Sequence, residues 1–209
     1  DRLLYSGGIS GPRAEQILQQ AGFGQYTWAQ FMTNAANTRT RGVDIVGKYN
    51  LDLAQYGALS LSAGYTKART TIEKVHENPN GFDILTREAR GFLEHGYPED
   101  KLVLGATHRI GAWTIALSET RYGEYRKYAA SEANAQYDQT FGAQWNTDLD
   151  VNYAFTQQLR LSVGANNLFD SKPDDFNTRL RQTPGQQYSY LSPSAPEGAF
   201  YYTRLSYDF

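Results

Sequence analysis

FGAQWNTDLDVNYAF, residues 141–155, is the stretch on which the fold turns. Phe141, Ala143, Trp145, Thr147, Leu149, Val151, Tyr153 and Phe155 take every second position, and most of them are large and apolar. Gly142, Gln144, Asn146, Asp148, Asp150 and Asn152 fill the places between. Successive side chains of a strand point to opposite faces, so this spacing predicts a strand with one greasy and one wet face. Residues 141–155 in one register make a strand far longer than the ~5–6 residues usual in globular proteins.

The same alternation recurs along the chain. Leu59, Leu61, Ala63 and Tyr65 oppose Ser60, Ser62, Gly64 and Thr66, and Val43, Ile45, Tyr49 and Leu51 oppose Asp44, Lys48 and Asn50. Leu102 and Leu104, then Trp113, Ile115 and Leu117, give a weaker version. Glu119 falls on the apolar side of that last run, which predicts a bulge there or a strand already clear of the apolar zone. At the end of the chain, FYYTRLSYDF (200–209) sets Tyr201, Thr203, Leu205, Tyr207 and Phe209 against Tyr202, Arg204, Ser206 and Asp208.

Connections between these runs alternate in length. Residues 52–57, 109–112 and 156–158 are short and turn-like, whereas 7–29, 73–100, 128–140 and 170–197 are long and polar. In an up-and-down meander, alternate connections lie at the same end. All short turns therefore share one end and all long loops the other, the asymmetry of outer-membrane barrels with short periplasmic turns and long extracellular loops. A soluble β-sandwich also has alternating strands. It does not account for the strand lengths, the sorting of loops by end, or the aromatic pairs Phe141/Trp145 and Tyr153/Phe155 that bracket the apolar face.

Composition fits this all-β, antiparallel, up-and-down transmembrane β-barrel. Mean hydropathy is −0.60, as expected when only alternate positions are apolar. The net charge of −2 supports no nucleic-acid partner. Cysteine is absent, so disulfides and thiolate metal sites are excluded. About seven or eight strands are legible. A closed barrel of eight would need its interior filled by side chains, and Gly, Ser, Thr and Asn dominate the polar face. The chain therefore reads as a wall segment of a wider barrel.

A motif adds a family resemblance. LSVGANNLFDSKP (161–173), with Asn166, Asn167, Leu168, Phe169 and Asp170 at its centre, resembles the penultimate strand of TonB-dependent outer-membrane receptors. NTRTRGVDI (37–45) and KLVLGATHRIGAWTIALSETRYGEY (101–125) resemble earlier strands of the same family. Residues 201–209 resemble the C-terminal signal that the outer-membrane assembly machinery reads, with Tyr201, Thr203, Leu205, Tyr207 and Phe209 as its lipid-facing set. Arg204 stands where that pattern has Gly.

The resemblance implies a 22-stranded barrel in the bacterial outer membrane. Residues 1–209 are then its C-terminal segment, with the plug domain and earlier strands outside this chain. It implies import of a scarce small-molecule ligand, most often an iron–siderophore complex, energised by the TonB complex through the missing N-terminal part, with membrane lipid around the barrel. No cofactor is implied. The motif itself reads as architecture. Asn166 and Asn167 leave strand geometry cheaply and bond their own backbone, with Phe169 as an interfacial anchor.

Catalytic and metal chemistry find little footing. His76, His95 and His108 lack metal-ligand spacing, no Gly-Xaa-Ser-Xaa-Gly elbow is present, and the chain is expected not to be an enzyme. Arg87 and Arg90, in a long loop, are the candidates for contact with an anionic ferric chelate, since guanidinium forks carboxylates well. A passive porin-like channel, or another structural barrel such as an autotransporter translocator, is the alternative function.

Overall fold

Alternating side chains and short turns give a continuous antiparallel meander in the computed structural model, which describes residues 2–76, 85–181 and 183–209. The strands are β1 (Arg2–Ser10), β2 (Trp28–Asp52), β3 (Ala58–Val75), β4 (Asp100–Ile110), β5 (Trp113–Tyr122), β6 (Tyr125–Lys127), β7 (Gln139–Phe141), β8 (Gln144–Ala154), β9 (Leu159–Asn166) and β10 (Phe200–Tyr207). Two helices, α1 (Pro12–Gln20) and α2 (Arg87–His95), lie in the first two long connections. One eight-stranded sheet runs β1-β2-β3-β4-β5-β8-β9-β10, and β6-β7 form a separate ribbon. The large sheet is open, with β1 and β10 at its edges.

Directly opposed residues of an antiparallel pair share a face, so the register sorts the whole wall. One row runs Tyr49–Leu61–Ala106–Leu117–Leu149–Ala165–Tyr201. The neighbouring row on the same face runs Leu51–Leu59–His108–Ile115–Val151–Val163–Thr203. Between them, on the other face, runs Asn50–Ser60–Thr107–Ala116–Asp150–Gly164–Tyr202. The predicted alternation is thus a single apolar belt across seven adjacent strands, backed by a polar wall. Val43 to Leu51 is eight steps of ~3.3 Å, or about 20 Å of height at a ~40° tilt, close to the ~25 Å apolar band of such barrels.

Local chemistry makes the short turns. Ala54 N–H donates to Asp52 Oδ1 at 2.9 Å and Leu53 N–H to the Gly57 carbonyl at 2.8 Å. Gly57 has φ +87, and a Cβ there would strike the Arg109 carbonyl, so only glycine fits. At the third turn Thr156 Oγ1 accepts from the amides of Gln158 (3.1 Å) and Leu159 (2.9 Å).

Two expectations are corrected. The strand predicted over 141–155 is interrupted at Gly142 and Ala143. Gly142 N–H leaves the ladder for Asp174 Oδ2 at 2.6 Å, and Phe141 is 1% exposed, so it is a buried core residue and not part of an aromatic girdle. Nor does β5 bulge at Glu119, which stays in register between Leu104 and Thr147. Thr147 Oγ1 donates to Glu119 Oε2 at 2.5 Å, giving the carboxylate a partner on the apolar face.

The largest packed core lies outside the wall. Tyr125, Ala129, Phe141, Phe176, Leu180 and Leu191 form a buried cluster flanked by Phe92 and Tyr137. A second cluster joins Ala35, Ala36 and Leu85, with Ile72, Val75, Ala89 and Leu93 against it, and seats α2 on the upper part of β2 and β3. Of the long connection expected at 73–100, residues 77–84 lie outside the described residues.

Candidate functional site

The first cluster gathers side chains from three successive long connections into one cap at the loop end. Tyr125 and Phe141 stack with centroids 4.5 Å apart and planes 7° apart, because β6 and β7 pair them directly. Phe176 closes on Phe141 at 5.9 Å from the connection after β9. Gln139 Nε2 donates to the Asp175 carbonyl (2.7 Å), and the Asn177 N–H donates to Gln139 Oε1 (2.7 Å), tying the same two segments.

Charged residues fasten the cap to α2. Arg87 makes a bidentate pair with Asp138, Nη1 to Oδ1 at 2.8 Å and Nη2 to Oδ2 at 2.5 Å. It also donates from Nη1 to the Ala129 carbonyl (3.1 Å), pairs through Nε with Glu132 (3.0 Å), and lies over the Tyr128 ring at 5.0 Å. The Asp138 partnership raises the Arg87 pKa, and Arg87's hydrogen bonds hold the Asp138 carboxyl below its ordinary value. Lys127, 4% exposed, pairs with Glu88 and donates to Tyr190 Oη at 3.3 Å. Burial alone would lower the Lys127 pKa; Glu88 and Tyr190 more than offset it, and the ammonium is held above its ordinary range.

Arg87 and Arg90, singled out in the sequence, are brought together. Both line a hollow of about 590 Å³ beside α2, with Glu94, His95, Tyr128 and Ser131 among the other walls. Most of the Arg87 donor capacity goes to Asp138, Glu132 and Ala129, and Arg90 Nε donates to the Leu85 carbonyl at 2.9 Å. The histidines are dispersed. His76 meets Asn37 Oδ1 at 3.1 Å and His108 meets the Tyr56 carbonyl at 2.8 Å. Among the described residues no three His, Asp or Glu side chains group as a metal site.

The 166–170 motif occupies the exit from β9. Asn167 (φ 51) and Asp170 (φ 55) take left-handed conformations, which Asn and Asp tolerate better than most residues. Asn167 closes the turn on itself, Oδ1 accepting from Ser171 N–H (2.8 Å) and Nδ2 donating to the Ser171 carbonyl (2.7 Å). The turn is stitched to both neighbouring strands. Asn167 N–H donates to Asp148 Oδ1 (2.8 Å) and Leu168 N–H to the Thr147 carbonyl (2.7 Å). On the other side, Ala199 N–H donates to Asp170 Oδ1 (2.9 Å) and Tyr201 Oη to the Leu168 carbonyl (3.2 Å). The Ala199 amide, then Lys172, lower the Asp170 pKa. Asn166 remains the last residue of β9, and Phe169 is exposed.

The polar wall carries a network that the sequence did not reveal. Tyr202 Oη donates to Asp150 Oδ2 at 2.6 Å, Asn152 Nδ2 donates to Asp150 Oδ1, and Ser162 Oγ donates to Asn152 Oδ1. Tyr202 reaches Asp150 by laying its ring across Gly164, where a Cβ would have no room. On the apolar face of β10, Tyr201, Leu205 and Tyr207 are exposed beside Thr203, and Phe209, past the strand end, sets its ring edge-on to Tyr207 at 5.1 Å.

Two solved structures resemble this chain. The copper transporter OprC superposes with a TM-score of 0.52 at 15% identity, over 100% of this chain and 28% of that one. P. aeruginosa FpvA, bound in its structure to a ferric heterologous pyoverdine, superposes with a TM-score of 0.46 at 16% identity, over 82% of this chain and 20% of that one. The chain thus spans under a third of either neighbour's length. Among curated proteins no relative matches it. Residues 5–168 match the family described as TonB dependent receptor-like, beta-barrel. Matched over most of its length, this chain belongs to that family of outer-membrane TonB-dependent receptor barrels.

Proposed function

We propose that the chain forms part of the wall and outer cap of a TonB-dependent importer whose ligand is an iron–siderophore complex. The observation that carries the importer reading is the match of residues 5–168 to the TonB-dependent receptor β-barrel family, and the separation of faces over seven strands supports its wall. The apolar belt suits lipid, and the polar wall, with its Tyr202–Asp150–Asn152–Ser162 network, suits a hydrated interior. Iron–siderophore complexes are the ligands this family most often carries. The hollow beside Arg87 and Arg90 holds two guanidinium groups that an anionic chelate would have to share with Asp138 and Glu132. The two structural neighbours carry different cargoes by their descriptions, so the ligand must be decided by transport.

The experiment is uptake of radioiron presented as ferric siderophores, and of copper, by cells expressing the full receptor with and without TonB. TonB-dependent accumulation of a ferric siderophore is the expected outcome. Accumulation independent of TonB would favour the passive channel. TonB-dependent copper uptake without iron uptake would leave the importer standing and remove the iron assignment.

A further inference from the structure

The first hairpin outgrows the sheet that carries it. β2 pairs with β3 only as far as Ala36, opposite Val75, and from there to Trp28 its strand partner among the described residues is β1. Eight residues at ~3.3 Å each carry the ribbon about 26 Å past the end of β3. Its tip is α1 and the turn that follows. Phe23 N–H donates back to the Leu18 carbonyl (2.7 Å) and Tyr26 N–H to the Phe23 carbonyl (3.0 Å), which fixes the shape of that turn.

The tip is aromatic, rich in side-chain amides and almost free of charge. Arg13 and Glu15 are the only charged residues of 11–30, a stretch with five glutamines, whereas 73–100 is crowded with both signs. Phe23, Tyr26 and Trp28 are 53%, 55% and 61% exposed. The Phe23 and Tyr26 rings stand 6.5 Å apart with their planes tilted by 50°, so they present two faces at an angle. Gln16, Gln19, Gln20 and Gln25 are exposed on the same segment. Gln19 stands beside the turn, where a Cβ on Gly24 would touch its Cγ at 3.5 Å.

We infer that this tip is a docking site for a neutral polysaccharide outside the cell, separate from the import path. Ring faces pack on the C–H faces of sugars, and a carboxamide both donates and accepts, as sugar hydroxyls require. The three rings leave about 350 Å² exposed. That is under half of the ~800 Å² per partner of a stable protein interface, and it suits a few sugar rings. An anionic polymer would find no surplus of cations here. The barrel's own membrane is out of reach, because the tip rises beyond a strand end that is itself above the apolar belt. The same height keeps the tip clear of the polar wall that cargo would follow. The inference rests on the long connections facing outward and adds an extracellular partner to the transport reading.

The test is affinity electrophoresis of the full receptor, folded in detergent, through native gels that contain dextran, mannan, galactan or anionic alginate. At least one of the three neutral polymers should retard the parent, and alginate should not. Trp28→Ala and Tyr26→Ala should each weaken that retardation by about 10-fold or more. Trp28→Phe, which keeps a ring, should retain most of it and guards against loss by misfolding, with heat-modifiability confirming the fold of every variant. No retardation by any neutral polymer, or retardation that survives both alanine variants, would overturn the site. Stronger retardation by alginate would overturn the neutral class. Cargo uptake by cells carrying Trp28→Ala should match the parent; a parallel loss of uptake would overturn the separation from the import path. The gel measurement needs no transport, so its failure is distinct from a failure of the importer reading.

Discussion

Leu61→Arg tests the two-faced wall most directly. Leu61 is 39% exposed, between Tyr49 and Ala106 on the apolar face. Gly57, in the turn, lies four residues below, or roughly 10 Å of height at a ~40° tilt, which sets Leu61 near the middle of a ~25 Å band. The nearest basic residue up the strand on that face, Lys67, is six residues or ~20 Å away along β3, so the new guanidinium lies well below the polar upper end of the strand. An arginine at that depth costs about 2–4 kcal/mol, which is roughly 30- to 1,000-fold in the folding equilibrium. The control is the preceding residue. Ser60→Arg points into the polar wall between Asn50 and Thr107 and should stay within about 0.5 kcal/mol. The assay is urea titration of the full receptor refolded into lipid vesicles, scored by the heat-modifiable folded fraction. Equal midpoints for the two variants, or a larger loss for Ser60→Arg, would refute the face assignment.

Three further outcomes follow from the cap and the terminus. Phe141→Ala removes a ring stacked on Tyr125 and should cost about 3–5 kcal/mol locally, seen as faster amide exchange across residues 125–141 with the wall strands unchanged; uniform loosening of cap and wall would contradict a separate core. The Asp138 carboxyl, held by Arg87 below its ordinary 3.8, stabilises the cap fully above that value and loses its effect as pH falls through the lowered one. Pepsin cleavage within 128–140 should therefore rise in the parent only as pH falls below 3.8, while Asp138→Asn should show raised cleavage already at higher pH and a weaker acid dependence. Deleting Phe209 removes one ring beyond β10 and should barely move the refolding midpoint, yet sharply lower outer-membrane insertion in cells; normal insertion would show that the terminus is not an assembly signal.

The wall was legible because its faces are dictated by backbone geometry. A two-residue period in Val43–Leu51 or Leu59–Tyr65 can be satisfied only by a strand whose alternate side chains see different surroundings. The same logic explains the error at Phe141. The interruption spans two residues, Gly142 and Ala143, so the parity of Phe141 still agrees with Trp145 after the chain has left the wall. The cap was not legible because its core is non-local. Tyr125, Phe176 and Leu191 each sit in polar surroundings with no period, and Arg87 meets Asp138 51 residues away. The Asn-rich exit from β9 was visible as a change of backbone direction, but not its bonds to Asp148 on one side and Ala199 on the other.

The composition of the cap also sets an order of events during folding. Its core takes Tyr125 from after β5, Phe141 from before β8, and Phe176 and Leu191 from between β9 and β10. Tyr125 and Phe141 can meet locally through the β6–β7 ribbon, but Phe176 and Leu191 join them only by closing longer loops, whose entropy the strand ladders beneath reduce. The cap is therefore a late event that certifies a finished wall.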